Sequence, residues 1–465
     1  MNRIKEGYRH LIFFFLSFFL FSIFLPSSSS AMTIQQEQEM GDKIVQEIRK
    51  SMPLVQEPSA NEYINRIGNR VLKTMEAQPF NFQFFILNIP EINAFSVPGG
   101  KIFVNSGLVL LVENEDELAG VIAHEIGHSV ARHVAKRSEK GQKISLAALG
   151  AILAGILMGG QAAGAIATTT VAASQAALLK FSREDEDEAD YLGLKFMERA
   201  GYDPMGMITM MKKLSREEGP AAGKPPAYLL THPAAEERMA SLEIQMSRSP
   251  KEKEPAKTSG NLKRIQTRLV VEEQGTALAV SYFENWLKRK PDDPEAFFGL
   301  GLAQKRMGAL DRAIENFAKA ANLSPQDGEI ARELGAAYLL KANFSEAQQS
   351  LELARTLSPA DAMTHFYLGR LYLEQKRTDE ALAAFLRAKE LDPRIPEIQY
   401  HLAMAYGAKN MLGPAYQNFG YYYKSIGDLK TALVHFNKAQ AYFSENSTEQ
   451  RAIQQEIQEL TPKKK

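Results

Sequence analysis

The spacing of apolar and polar positions changes character along the chain, and each change predicts an element. Residues 11–25, "LIFFFLSFFLFSIFL", are apolar apart from two serines. In "NEYINRIGNRVLKTM", 61–75, apolar residues recur at helical spacing. "FNFQFFIL", 80–87, is strand-like, "SVPGG" turns the chain, and "KIFVN", 101–105, alternates as a strand does. Asn114 then precedes Glu115, Asp116, Glu117 and an apolar run, an N-cap followed by an acidic first turn, which predicts a helix over about 115–136. "FSREDEDEADYLGLKFM", 181–197, reads as an amphipathic helix with an acidic start.

Beyond 262 the pattern repeats. Pro291, Pro325, Pro359 and Pro393 are 34 residues apart, as are Leu300-Gly301, Leu334-Gly335 and Leu368-Gly369. Ala313, Ala347 and Ala381 keep the same step, with Phe317, Leu351 and Phe385. Small residues at fixed offsets let paired helices approach, and proline closes each unit, so the period predicts stacked helix–turn–helix units. These residues resemble tetratricopeptide repeats. The pattern restarts at Phe419-Gly420, 51 residues after Leu368-Gly369, which is one and a half periods. That predicts an extra helix near 396–408. The fold class is therefore mainly α, with a small sheet in the N-terminal half and an all-α solenoid after it. The expected organisation is a leader at 1–31, a domain at 32–246, a linker at 247–261 ("SRSPKEKEPAKTSGN"), repeats at 262–458 and a tail at 459–465.

Composition narrows the class. Of 465 residues, 45% are apolar and 24% charged, as in a folded chain long enough for two or three domains. A formal net charge of zero argues against a nucleic-acid binder dominated by phosphate contacts. There is no cysteine, so a metal site must use His, Asp or Glu. Arg3, Lys5 and Arg9 before the apolar run, and "PSSSSA" after it, fit a signal peptide cleaved after Ala31, with an uncleaved anchor as the rival. Either implies export.

The helix over 115–136 carries "HEIGH", His124 to His128. Residues four apart on a helix share a face, so both imidazoles reach one ion. Glu125 is turned about 100° from His124. It is placed to take a proton from water that zinc activates rather than to ligate. Chance alone gives such a motif in about 1% of chains this long. A third ligand is needed, and the candidates are His133, His232 and a downstream carboxylate. His133 lies five residues after His128 and reads as a supporting or surface residue. Glu186 and Asp190 are four apart on a face with Leu194 and Met197, where carboxylates need partners. Glu186 as ligand and Asp190 orienting a motif histidine would satisfy both.

"NAFSVPGGKIFVNSGLV", "HEIGHSVARH" and "SREDEDEAD" resemble the gluzincin family that includes HtpX-like and CAAX-prenyl-type proteases. The resemblance implies a zincin-type α+β protease domain holding one Zn2+, with Glu186, four residues before Asp190, as third ligand. With a leader and C-terminal repeats, the chain resembles the BepA-like periplasmic members of that family. Glu184 and Glu188 are rival ligands in the acidic run, and the cysteines of some members are missing. The family has a His-Pro segment near its site, matched here by His232-Pro233. His232 would either stabilise an oxyanion or bind zinc as a fourth ligand and shut the site. Arg238 is expected to pair with Asp190.

Residues 144–179 hold no charge. They are expected to form a helical pair that touches a membrane surface or covers the cleft, with plain core packing as the rival. The function expected is an exported, periplasmic zinc endopeptidase acting on envelope proteins during outer-membrane protein assembly and quality control. Its repeats would recruit protein substrates or the envelope assembly machinery, and no nucleic acid. The strand Lys101, Ile102, Phe103, Val104 and Asn105 would pair with an extended substrate. The rivals are a chaperone or scaffold working mainly through its repeats, and an integral-membrane protease using 144–179 as a hairpin.

Overall fold

The computed structural model describes residues 32–139, 181–217, 227–233, 235–248, 261–273 and 275–461. The leader, the 144–179 segment, nearly all of the expected linker and the end of the tail lie outside them. Among the described residues no helix is long and apolar enough to cross a membrane. The chain divides into two compact units, Met1–Leu269 and Val270–Lys465.

The first unit is built round a three-stranded sheet and one buried helix. Helices α1 (Ile34–Ser51) and α2 (Pro58–Leu72) precede strands β1 (Gln83–Leu87), β2 (Ala94–Val97) and β3 (Lys101–Asn105). The strand order is β1-β3-β2, with β1 parallel and β2 antiparallel to β3. Side-chain alternation splits the sheet between two cores. Ile102 and Val104 face a large core shared with α2, while Phe103 faces Ile44, Val45 and Ile48 of α1. On that second face Phe85, Phe103 and Phe95 stack across the three strands, with centroids 4.9 and 5.2 Å apart.

This order corrects one expectation. Lys101–Asn105 cannot pair with an extended substrate, because β3 is the central strand, bonded on both edges and buried at all five positions. Even Lys101 is enclosed, its ammonium meeting Asn81 O and Asp42, each at 3.0 Å. Alternation alone does not distinguish a central strand from an edge strand. The outer edge of β2 is the one beside the buried helix, and it has no strand partner among the described residues.

Helix α3 (Ser106–Leu111) leads into α4 (Glu115–Val130), which is capped by the Asn114 side chain accepting from Glu117 N–H at 2.9 Å. All but two of its residues are buried, so α4 is the spine of the unit. It ends sooner than the sequence pattern predicts. Arg132 adopts a left-handed backbone (φ 57°), and a separate helix α5 (His133–Glu139) follows. The Arg132 guanidinium is bound by the buried Glu37 carboxylate of α1. The unit continues with α6 (Arg183–Ala200), α7 (Met205–Glu217), α8 (Ala227–Thr231), α9 (Ala235–Arg248) and the first part, to Leu269, of α10 (Leu262–Glu273). Leu262, Ile265 and Leu269 of α10 lie in this unit's core.

The second unit is a run of helices: α11 (Thr276–Arg289), α12 (Pro294–Arg306), α13 (Leu310–Leu323), α14 (Gly328–Leu340), α15 (Phe344–Leu357), α16 (Ala362–Glu374), α17 (Thr378–Leu391), α18 (Pro396–Ala408), α19 (Leu412–Ser425), α20 (Leu429–Gln440) and α21 (Thr448–Leu460). Asp293, Asp327 and Asp361 cap α12, α14 and α16 at the step of 34. Left-handed turns at Gly308, Ala342, Lys376 and Asn410 keep that step too. The small residues serve close approach: a Cβ on Gly301 or Gly369 would come within 2.6 Å of the ring of Phe317 or Phe385. The helix expected near 396–408 forms, but it is a regular member, 34 residues after α16. The irregular helix is α19. It carries the second-helix residues Ala415 and Phe419 against α18, and then Gly420, against which the Phe436 ring packs as Phe385 does against Gly369. One helix thus serves two units, which produces the half-period restart. A further left-handed turn at Gly427, 17 residues after Asn410, marks the same shift.

Candidate metal centre

Two helices make the site, and glycines let them touch. A Cβ on Gly127 of α4 would lie 2.7 Å from the carbonyl oxygen of Ala189 on α6, and one on Gly193 of α6 would lie 3.1 Å from the backbone nitrogen of His124. At that separation the i,i+4 face of α6 presents Glu186 and Asp190 to the i,i+4 face of α4. Helix α6 starts at a capping box in which Ser182 and Asp185 satisfy each other's backbone N–H. Glu184 and Glu188 are exposed and do not join the cluster.

His124, His128, Glu186 and His232 bring one donor atom each to within 4.8 Å of one another. The two motif Nε2 atoms are 2.9 Å apart. Glu186 oxygens lie 3.5 Å from His124 Nε2 and 3.4 Å from His128 Nε2. His232 Nδ1 is 3.3 Å from His124 Nε2 and 3.0 Å from Glu186 Oε1. Tetrahedral donors about 2.0–2.1 Å from a zinc ion are themselves roughly 3.4 Å apart, so the set fits such an ion. All four are at most 1% exposed. Unpaired polar atoms also collect here: among the described residues both Glu125 carboxylate oxygens, Glu186 Oε2 and His232 Nε2 are buried without a hydrogen-bond partner. Arg238 Nη1 lies 2.7 Å from that Glu186 oxygen, a charge contact without hydrogen-bond alignment.

The surrounding groups fix the donors. Asp190 accepts from His124 Nδ1 at 2.8 Å and is itself held by Arg238, whose Nε and Nη2 each lie 2.7 Å from its oxygens. The Arg238–Asp190 contact is thus present, and the same guanidinium also reaches Glu186. His133 does not reach the donor set. Its Nδ1 sits 2.8 Å from His128 Nδ1 and its Nε2 3.1 Å from Glu188. Two rings stack on His232, Tyr228 at 4.4 Å and Phe181 at 5.3 Å; Phe181 also stacks on His128 at 3.9 Å. Neither ring stood out in the sequence. Tyr228 did carry a signal, since it is one helical turn before His232. Glu125 points its carboxylate toward His232 Nε2, 3.5 Å away.

Burial opposes charge on every one of these groups, and the partners decide the outcome. Burial would raise the Glu186 pKa, but the facing His232 and Arg238 charges hold it well below the carboxylate range. Arg238 does the same for Asp190 against its burial. Burial and the Arg238 charge disfavour a proton on His124, yet hydrogen bonds to Asp190 and Glu186 push its pKa up to about 9. His128 is driven well below its usual value by burial and by the charge on His124. The anionic half of the cluster is therefore already ionised, and a bound cation would take the place of the Nε2 proton of His124, leaving the Nδ1 hydrogen donated to Asp190.

Residues 58–245 match the profile of peptidase family M48, and residues 268–328 and 362–395 match tetratricopeptide repeats. A beta-barrel assembly-enhancing protease of Escherichia coli is 38% identical over 219 residues, 46% of this chain and 44% of that one. Its counterpart in Yersinia pestis is 36% identical over 216 residues, again 46% and 44%. A mitochondrial metalloendopeptidase of Schizosaccharomyces pombe is 34% identical over 185 residues, 39% of this chain and 51% of that one. The chain spans about half the length of the curated relatives it matches.

Proposed function

We propose that this chain, in which a peptidase family M48 domain precedes tetratricopeptide repeats, is a zinc metalloendopeptidase. It would act on envelope proteins, misfolded or stalled ones above all, in outer-membrane β-barrel assembly. The repeats would dock those substrates or the assembly machinery, and the site of action would be the periplasm. The observation that carries the reading is the convergence of four buried donor atoms beside a carboxylate, Glu125, whose two oxygens have no hydrogen-bond partner.

His124, His128 and Glu186 would hold the zinc, with Asp190 orienting His124. Bound there, zinc supplies Lewis acidity and a source of hydroxide at neutral pH. Glu125 takes the proton as the water oxygen attacks the scissile carbonyl carbon, then returns it to the amine nitrogen as the C–N bond breaks. A substrate backbone would pair with the outer edge of β2. Where that strand ends, Ser96, Val97, Pro98 and Gly99 line a cavity that reaches His128 and Ser129. His232 Nδ1 stands among the donors. A zinc site with four protein donors lacks the open position that catalysis requires. We therefore read His232 as a bolt that closes the site at rest and must withdraw for catalysis, in preference to an oxyanion role.

The test is casein cleavage by the purified mature protein before and after a zinc chelator, then after one equivalent of zinc. Cleavage that is lost and restored is expected. Cleavage indifferent to chelation overturns the reading.

A further inference from the structure

The two motif histidines are backed differently. Each points Nε2 into the donor cluster, so in a metal-bound ring the hydrogen sits on Nδ1 and needs an acceptor. For His124 the acceptor is the Asp190 carboxylate. For His128 it is another imidazole, His133 Nδ1, at 2.8 Å. Two Nδ1 atoms at that distance share one hydrogen, and it must be the one on His128. His133 therefore accepts at Nδ1 and carries its own hydrogen on Nε2, which faces Glu188 Oε2 at 3.1 Å. Glu188 is in turn 3.6 Å from Lys136, and Asp185 is 3.7 Å from His133 Nε2.

The backbone is bent to make this contact. In an unbroken α-helix, residues five apart lie roughly 140° apart around the axis, so His133 would face away from His128. The left-handed Arg132, bound by Glu37, ends α4 one residue before His133 and turns its ring back to the site. His133 is fully buried, while Glu188 is exposed on α6.

We propose that Glu188, His133 and His128 form a relay in which His133 is a positioning residue. It fixes the tautomer and ring angle of His128, and Glu188 fixes those of His133. Glu188, a rival ligand by sequence, thus acts on the site from outside it. The relay rests on His128 being a zinc ligand, and the experiment separates the two claims.

Zinc affinity of the full-length mature protein is measured by chelator competition. His133→Leu should weaken it roughly 10–100-fold. His133→Asn, whose side-chain oxygen can accept the same hydrogen, should stay within about three-fold of wild type. Glu188→Ala should weaken binding several-fold, while Glu184→Ala, the same loss of an exposed charge one turn earlier on the same helix, should not. The Glu188 and Glu184 pair decides the matter even where His133→Leu fails to fold. Equal affinities for Glu188→Ala and Glu184→Ala, or an Asn variant as weak as the Leu variant, overturn the relay. Unchanged zinc binding in His128→Ala would instead overturn the ligand assignment beneath it.

Discussion

Glu125→Gln protein will keep one zinc per chain and cleave casein roughly 10²–10⁴-fold more slowly than wild type. The substitution preserves shape and removes only the capacity to take a proton. Glu125 is not one of the four convergent donors, so zinc occupancy should not change. Its two buried oxygens lack hydrogen-bond partners, and His232 Nε2 is 3.5 Å from one of them. The two other carboxylates of the site, Glu186 and Asp190, are both held by Arg238 and so are not placed to take over its role. Zinc content and casein turnover on the same preparation check this. Wild-type turnover by the variant would remove Glu125 from the mechanism. Complementation in cells by an inactive variant would favour a role carried by the repeats.

His232→Ala should move the other way. Removing the fourth donor weakens zinc binding but opens the position that water and substrate need. With zinc in excess, casein cleavage should rise about ten-fold, as if a closed state favoured by ~1.4 kcal/mol were abolished. The stacking of Tyr228 and Phe181 on His232 explains why it stays in place otherwise: both hold the plane of its ring. A fall of 10²-fold or more at full zinc occupancy would contradict this and give His232 the oxyanion role instead.

The parts of the site that the sequence revealed are those set by local geometry. An i,i+4 pair on one helix and an i,i+4 pair on another are visible as spacings, which is why His124, His128, Glu186 and Asp190 could be named together. Asn114 and the acidic run after Ser182 marked where both helices start. The 34-residue step was legible for a related reason, since each glycine and the ring packed on it lie in one unit. What stayed hidden depends on contacts between distant segments. The end of α4 is set by Arg132 meeting Glu37 of α1, 95 residues away in sequence, so His133 could not be placed on the helix face it occupies. The central position of β3 is decided by its neighbours β1 and β2 rather than by "KIFVN" itself. Phe181 and Tyr228 looked like ordinary apolar residues and came to stack on His232 only once α8 lay beside the start of α6. The shared helix α19 obeys both of its patterns, so periodicity detected the shift without identifying the helix responsible.

The central claim is that His124, His128 and Glu186 jointly hold one ion. Its most direct test is the zinc-to-protein ratio of purified wild type and of His124→Ala, His128→Ala and Glu186→Ala, each dialysed against the same buffered zinc. The account predicts one zinc per wild-type chain and substantial loss in all three variants, with folding checked separately by thermal melting. A wild-type chain that binds no zinc, or three variants that bind it as wild type does, would contradict it.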